Sequence, residues 1–348
     1  MVDKDILRIY NAKKNHDSLP LKRKEVHIEM ASMAKKSKAQ MKAEGFNHLP
    51  LRKRLRRDYP FYLLLLPAVV YIFIFNYWPM YGIQIAFKEF FPQLGITGSP
   101  WVGWEHFERF FRSPSCVSLI QNTVIISLYQ LVAGFPMPII VALLLNQCSR
   151  SGFKKFVQNV LYAPHFISVV VLIGMMQIMM SPSSGVFNTI ITALGGEPIN
   201  FFGEIGYFRH LYVWSGVWQS TGFNTIIYIS ALSSVSAEMH EAAIVDGATK
   251  LKRILYIDLP SILPTAMILL IMNVGSIMSV GFDKMYLMQN SINLPVSEII
   301  STQIYKKGII DADYSYSTAV GLFNNVINCI MLITVNKISR SLTDTSLW

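Results

Sequence analysis

Residues 241–260 read EAAIVDGATKLKRILYIDLP, from Glu241 to Pro260, and they interrupt two strongly apolar stretches with a polar loop. The spacing predicts an amphipathic helix over residues 235–246, because Val235, Met239, Ala242 and Ala243 fall on one face. Small alanines on that face let another surface approach closely. Gly247 follows as a left-handed stop, where a side chain would be strained. A second short helix is expected next. Leu251, Ile254 and Leu255 line one side of it, and Lys250, Lys252 and Arg253 the others. Pro260 and Pro264 are expected to end this segment and restart the chain as an apolar span. The loop therefore reads as a helix–glycine turn–helix knob.

Outward from the loop, the chain is that of a membrane protein. Of its 348 residues, 52% are hydrophobic and 15% charged, against about 25% charged in soluble domains. A bilayer core needs about 20 apolar residues per helix. Six stretches qualify, roughly Phe61–Ile85, Val117–Leu145, Val157–Met180, Leu211–Leu232, Pro264–Leu287 and Tyr316–Asn336. The expected fold is an all-α membrane protein of six transmembrane helices. Pro136 and Pro138 predict a kink in the second.

Charge predicts the orientation. Residues 1–58 hold 16 of the 31 Lys and Arg, and five of these (Arg52, Lys53, Arg54, Arg56, Arg57) sit just before the first span. Basic residues next to a span stay on the cytoplasmic side. Both termini and the 241–260 loop then face the cytoplasm. The expected organisation is a basic tail over residues 1–58, a transmembrane domain over 59–336 with its polar loop at 233–263, and a cytoplasmic tail over 337–348. A basic tail drawn to anionic lipid accounts for the charge, and no aromatic-interleaved basic surface points to nucleic acid. Cys116, Cys148 and Cys329 fall in separate regions, which predicts neither a disulfide nor a metal site. The first apolar stretch starts too deep for a usual cleavable signal.

The expected outer segments carry their own patterns. Trp101, Trp104, Phe107 and Phe111 recur at helical spacing, with Glu105, Glu108, Arg109 and Arg112 between them. This predicts a short amphipathic helix at the interface. Ser181-Pro182 and Gly195-Gly196-Glu197-Pro198 make residues 181–210 loop-rich.

The pattern Glu-Ala-Ala, three residues, Gly247, nine residues, Ile257, one residue, Leu259-Pro260 resembles the "EAA" loop of permease subunits of binding-protein-dependent ATP-binding-cassette importers. Further strings resemble carbohydrate-uptake permeases, the oligosaccharide and polysaccharide-fragment branch among them. These are Asp58-Tyr59-Pro60 before Leu63–Pro67, Trp78–Gly82, Ser99–Gly103, Asn122-Thr123 and the ending Thr345–Trp348. The resemblance covers about residues 52–348 and leaves the first 51 without a role.

It implies that Glu241, Ala242, Ala243, Gly247, Ile257, Leu259 and Pro260 dock on a separate ATPase, with Glu241 as the partner-facing anion. It implies a second related permease, an ATPase dimer, an extracytoplasmic solute-binding protein and a carbohydrate substrate, in a bacterial inner membrane. The chain shows no G-x-x-x-x-G-K-[ST] phosphate loop. ATP and Mg²⁺ are therefore expected on the partner ATPase, with no cofactor and no catalysis in this chain.

For the substrate path, polar or aromatic residues at membrane depth are the candidates, since burying them in lipid is costly. They are His165, Gln219, Ser220, Phe223, Asn224, Asn273 and Ser276. Sugar hydroxyls want amide partners and ring faces want aromatic stacking. Each of these side chains can instead serve as an interhelical contact, worth about 0.6 kcal/mol. The competing reading is an ion-coupled secondary transporter, which usually carries charges within its spans. Here only Asp283 and Lys284 lie near a span end. A membrane scaffold or receptor would not explain the loop spacing.

Overall fold

A computed structural model describes residues 51–343 and 346–347. Residues 1–50, most of the basic tail, and Thr345 and Trp348 of the terminal string lie outside the described residues. The chain divides into a unit up to Pro79 and a unit from Met80 onward.

The first unit is helix α1 (Leu51–Ile72), which continues through one wider turn at Phe73–Tyr77. Pro60 and Pro67 lie inside α1, as is tolerated in membrane helices. The helix starts before Asp58, so the expected boundary between tail and span does not coincide with a break in structure.

The second unit is helical, joined by one isolated antiparallel bridge between Lys88 and Trp101. Its elements are α2 (Glu105–Arg112), α3 (Cys116–Asn146), α4 (Ser151–Tyr162), α5 (Val169–Met179), α6 (Val186–Ala193) and α7 (Ile205–Leu232). Then come α8 (Ala237–Val245), α9 (Lys250–Gly275), α10 (Phe282–Met288), α11 (Ile300–Tyr305) and α12 (Tyr314–Thr343). Helix α7 packs along both halves of α3, and α9 packs along α12.

Among the described residues, four helices are long and apolar enough to cross a membrane, or five if one bent pair counts as a span. Two of the six expected spans are not among these four. The expected third span is bent by 97° between Phe166 and Val169. Pro164 sits in a tight turn there, and Ser168 restarts the helix by accepting a bond from the Val171 N–H. Helix α7 has 28 residues but is less apolar than those four, with Arg209, His210, Gln219 and Asn224 along it.

The fifth span also differs. Pro260 and Pro264 do not end a segment, because the chain runs as one helix from Lys250 to Gly275. The wider turn Ile254–Asp258 immediately precedes Leu259-Pro260. Such a turn relaxes the ladder where proline withholds its N–H. At its other end the helix stops at Gly275, and Asp283 and Lys284 fall in separate helix α10. Lys284 is buried there. Its ammonium donates to the Tyr212 carbonyl (2.7 Å) and lies 4.8 Å from the centre of the Tyr212 ring.

One apolar cluster joins α5, α7 and α10 through Ile173, Met176, Phe208, Val213 and Met285. Another joins α9 to α7 and α3 through Ile262, Ala266, Tyr228, Leu232 and Ala142. Gly222 allows α7 to cross α4, since a Cβ there would meet the Leu161 carbonyl oxygen at 1.9 Å. Polar groups fix the other contacts. Asn122 donates to the carbonyls of Pro295 and Glu298 and accepts from Arg209, while Thr123 accepts from the Ile300 N–H.

The expected amphipathic helix exists as α2, but its buried face is not the one expected. Phe107, Phe110 and the unselected His106 are buried, whereas Trp101, Trp104 and Phe111 are exposed. Phe110 packs on Phe323 and Tyr316 of α12, and Arg109 pairs with Asp313. The helix is thus seated on protein. Residues 181–210 are loop-rich as expected, with α6 between two irregular stretches. Buried Asn188 pins that loop by bonding both the N–H and the carbonyl of Ile199.

Candidate functional site

Two regions carry the chemistry. The first is the knob formed by α8, Gly247 and the start of α9. Gly247 has φ +76°, in the left-handed region. Its N–H donates to the Ile244 carbonyl (3.0 Å), and the Ala248 N–H reaches back to the Ala243 carbonyl (2.8 Å). This pair of bonds is the glycine-terminated cap that closes a helix end. Thr249 then starts the next helix by accepting from the Lys252 N–H.

The predicted helix is shorter than residues 235–246. Val235 lies in the preceding turn, and Ser236 is the N-cap. The expected apolar face is only partly covered: Val235 and Ala243 are half-buried, and Met239 and Ala242 are exposed. Glu241 is exposed too, as is Pro260, while Ile257 and Leu259 are half-buried where the knob enters α9. Large apolar side chains surround the turn in the open. Val245 is 86% exposed, Leu251 64% and Tyr256 78%.

The second region is a cavity of about 310 Å³ between α3, α7, α9 and the turn that follows α9. Ser220 and Asn224 come from α7, Asn273 from α9, and Ser276 from its end. These are four of the seven residues expected on a substrate path. Sequence reasoning missed Ser127 and Gln130 of α3, and Ser279, which also line it. In α3 they sit within a long apolar run, where only their polarity marked them. Phe135 and Tyr228 add aromatic surface. The serine hydroxyls of 127 and 220 each donate to a carbonyl of their own helix, at 2.6 and 2.8 Å, which leaves the oxygens as acceptors. The Asn273 amide donates to the Leu269 carbonyl (2.9 Å).

The other three expected residues do not line this cavity. Gln219 donates to the Ile167 carbonyl (2.7 Å), filling a backbone need at the sharp bend before α5. His165 and Phe223 stack on each other, with ring centres 3.9 Å apart and planes 4° from parallel. That stacking fixes the bend against α7. The seven therefore separate into four cavity residues and three that hold the α4–α5 bend.

Asp258 was not among the expected site residues. It is fully buried at the end of the wider turn in α9. Asn146 and Gln147 donate to its carboxylate, at 3.2 and 2.7 Å, and His240 Nε2 lies 3.3 Å from it. The sequence offered a polar residue beside Leu259-Pro260, but nothing that placed three distant partners around it.

The model of the family described as "Binding-protein-dependent transport system inner membrane component" matches residues 123–344. Among curated proteins, LplB of Bacillus subtilis (strain 168) is 41% identical over 286 residues, covering 82% of this chain and 90% of that protein. The polygalacturonan/rhamnogalacturonan transport system permease protein YteP of the same organism is 39% identical, covering 83% and 90%. Among solved structures, a chain of a bacterial ABC transporter that imports the acidic polysaccharide alginate is 37% identical. Its TM-score is 0.79, with 85% of this chain and all of that chain covered. A second structure of an alginate ABC transporter, in complex with alginate pentasaccharide-bound periplasmic protein, gives 36% identity, a TM-score of 0.80, and coverage of 86% and 100%.

Proposed function

The chain belongs to the inner-membrane components of binding-protein-dependent transport systems, as a permease of an ABC importer, and on that premise we propose that it forms half of the path for an oligosaccharide. The cavity lined by Ser127, Gln130, Ser220, Asn224, Asn273 and Ser276 carries this reading. Its amides and hydroxyl oxygens match the donor and acceptor pattern of sugar hydroxyls, and Phe135 and Tyr228 offer surface to a sugar ring. The relatives named for polygalacturonan and alginate support a carbohydrate cargo. Family membership sets aside the ion-coupled alternative.

In this reading the α8–Gly247–α9 knob faces the cytoplasm and docks on a separate ATPase dimer that holds ATP and Mg²⁺. Glu241, Ala242, Ala243 and Gly247 form its contact, and Ile257, Leu259 and Pro260 tie it to α9. A second related permease supplies the other half of the path, and an extracytoplasmic binding protein delivers the sugar. The N-terminal tail lies in the cytoplasm with the C-terminus.

The test is the purified complex of all subunits in proteoliposomes, assayed against a panel of neutral and acidic oligosaccharides. Uptake that needs ATP and the binding protein is expected for at least one sugar. Uptake driven by an ion gradient without ATP would overturn the proposal. For orientation, an impermeant thiol reagent on intact cells should label a cysteine placed at Ser291 and spare one at Ser236. The reverse pattern would put the knob on the wrong side.

A further inference from the structure

Asp258 is the meeting point of three elements. Its carboxylate is fully buried where the knob passes into α9. Oδ1 accepts from Asn146 Nδ2 (3.2 Å), at the end of α3, and faces His240 Nε2 (3.3 Å), on α8. Oδ2 accepts from Gln147 Nε2 (2.7 Å), and the backbone carbonyl of Asp258 accepts from Ser261 Oγ (2.7 Å). A buried carboxylate is expensive unless its lone pairs are satisfied, and here both oxygens are. Most of α8 is exposed, with His240 and Ala243 its half-buried residues. The imidazole is therefore the polar tie from α8 to the bundle.

The two elements joined to α8 by this tie are α3 and α9, and both line the cavity. Gln130 lies 16 residues from Asn146 along α3, and Asn273 lies 15 residues from Asp258 along α9. At 1.5 Å per residue, both arms are about 22–24 Å long. Both arms, similar in length, end at residues that line the same cavity.

The geometry points to Asp258 as a positioning residue that clasps α8 to α3 and α9, so that movement of the docking helix changes the cavity. This rests on the reading that α8 docks on an ATPase. Asp258 is not among the residues that line the cavity; it acts through His240, Asn146 and Gln147. Removing the imidazole frees α8 while leaving the amides of Asn146 and Gln147 in place. Asp258→Asn keeps the size but turns an NH₂ toward one of the donors.

The experiment uses the full complex in proteoliposomes, comparing wild type with His240→Ala, His240→Gln and Asp258→Asn. Three quantities are read: ATPase co-purified per permease, stimulation of hydrolysis by sugar-loaded binding protein, and sugar transported per ATP. His240→Ala is expected to co-purify with the ATPase at the wild-type level. Its sugar transported per ATP should fall about tenfold, within the usual range of coupling between sites. His240→Gln, whose amide offers a polar N–H group to the carboxylate in place of the imidazole, should recover most of the loss. Asp258→Asn should lose at least as much as His240→Ala.

Wild-type transport per ATP in His240→Ala would overturn the clasp, as would a loss in His240→Ala that His240→Gln does not restore. If Asp258→Asn fails to assemble, the two His240 variants decide the matter alone. Failure of the wild-type chain to bind the ATPase would instead strike the docking reading, and that arm is independent of every variant.

Discussion

Between Ala237 and Leu251 the α8–Gly247–α9 knob is specified by chain neighbours, whereas the cavity is lined by residues from Ser127 to Gly281. The N–H groups of Gly247 and Ala248 close α8 with bonds to the Ile244 and Ala243 carbonyls, all local in the chain. The knob is a local structure that leaves its apolar side chains in the open. The cavity is a contact product. Ser127 and Asn273 become neighbours only because α7 packs on both halves of α3 and on α9. A feature built locally can be spelled out in sequence; a feature built by packing is marked there only by unexpected polarity.

Gly222→Leu attacks the packing side and should have the largest effect. A Cβ at that position meets the Leu161 carbonyl oxygen at 1.9 Å, so α7 and α4 must separate. Overpacking of this kind costs about 1–3 kcal/mol or more. The expected outcome is a sharp loss of folded protein and a lower melting temperature in detergent. A wild-type melting temperature would show that the crossing is looser than described.

Gly247→Leu attacks the local side. The turn needs φ near +76°, and a side chain there costs about 1–2 kcal/mol. Since nothing lies within 4 Å of the added Cβ, the bundle should insert normally. Binding of the ATPase should fail, together with that of Glu241→Ala, because truncating one member of an interfacial charge pair costs about 2–5 kcal/mol. Normal ATPase binding in both would sever the knob from docking.

Asn122→Ala comes next. It strips the Arg209 partner and leaves the carbonyls of Pro295 and Glu298 without their donor. Such unsatisfied groups cost about 1–3 kcal/mol. Thermal unfolding should report the loss, with ATPase binding intact in the protein that survives.

The smallest effects on stability, and the sharpest test of the comparison, lie inside the cavity. Asn273→Ala and Asn224→Ala should lower uptake at unchanged assembly, since the Asn273 amide bonds a carbonyl of its own helix rather than a neighbouring one. Gln219→Ala and Phe223→Ala should reduce assembly instead, because they hold the bend near Ile167. The measurement is uptake per assembled complex for two sugars of different length. A shift in preference from Asn273→Ala, absent from Gln219→Ala, supports the division. Equal losses for both sugars that track folded protein would return the cavity residues to packing.

The sequence by itself determined the membrane class, the helical knob and its glycine stop, and the permease family. Each of these is written in local spacing or in long apolar runs. It also drew attention to Ser220, Asn224, Asn273 and Ser276, because polar groups at membrane depth carry a cost that invites a reason. Only the tertiary structure decided what those polar groups do. It divided His165, Gln219 and Phe223 from the other four, since a hydrogen bond to Ile167 and a ring stack cannot be read from one helix face. It ran α9 unbroken past Pro260 and Pro264, where a rule about proline predicts an end and a widened turn absorbs the defect. It gave Asp258 its three partners, 18, 111 and 112 residues away along the chain. Spacing along one segment carries no information about groups that distant; only the packing of α3, α8 and α9 brings them to one carboxylate.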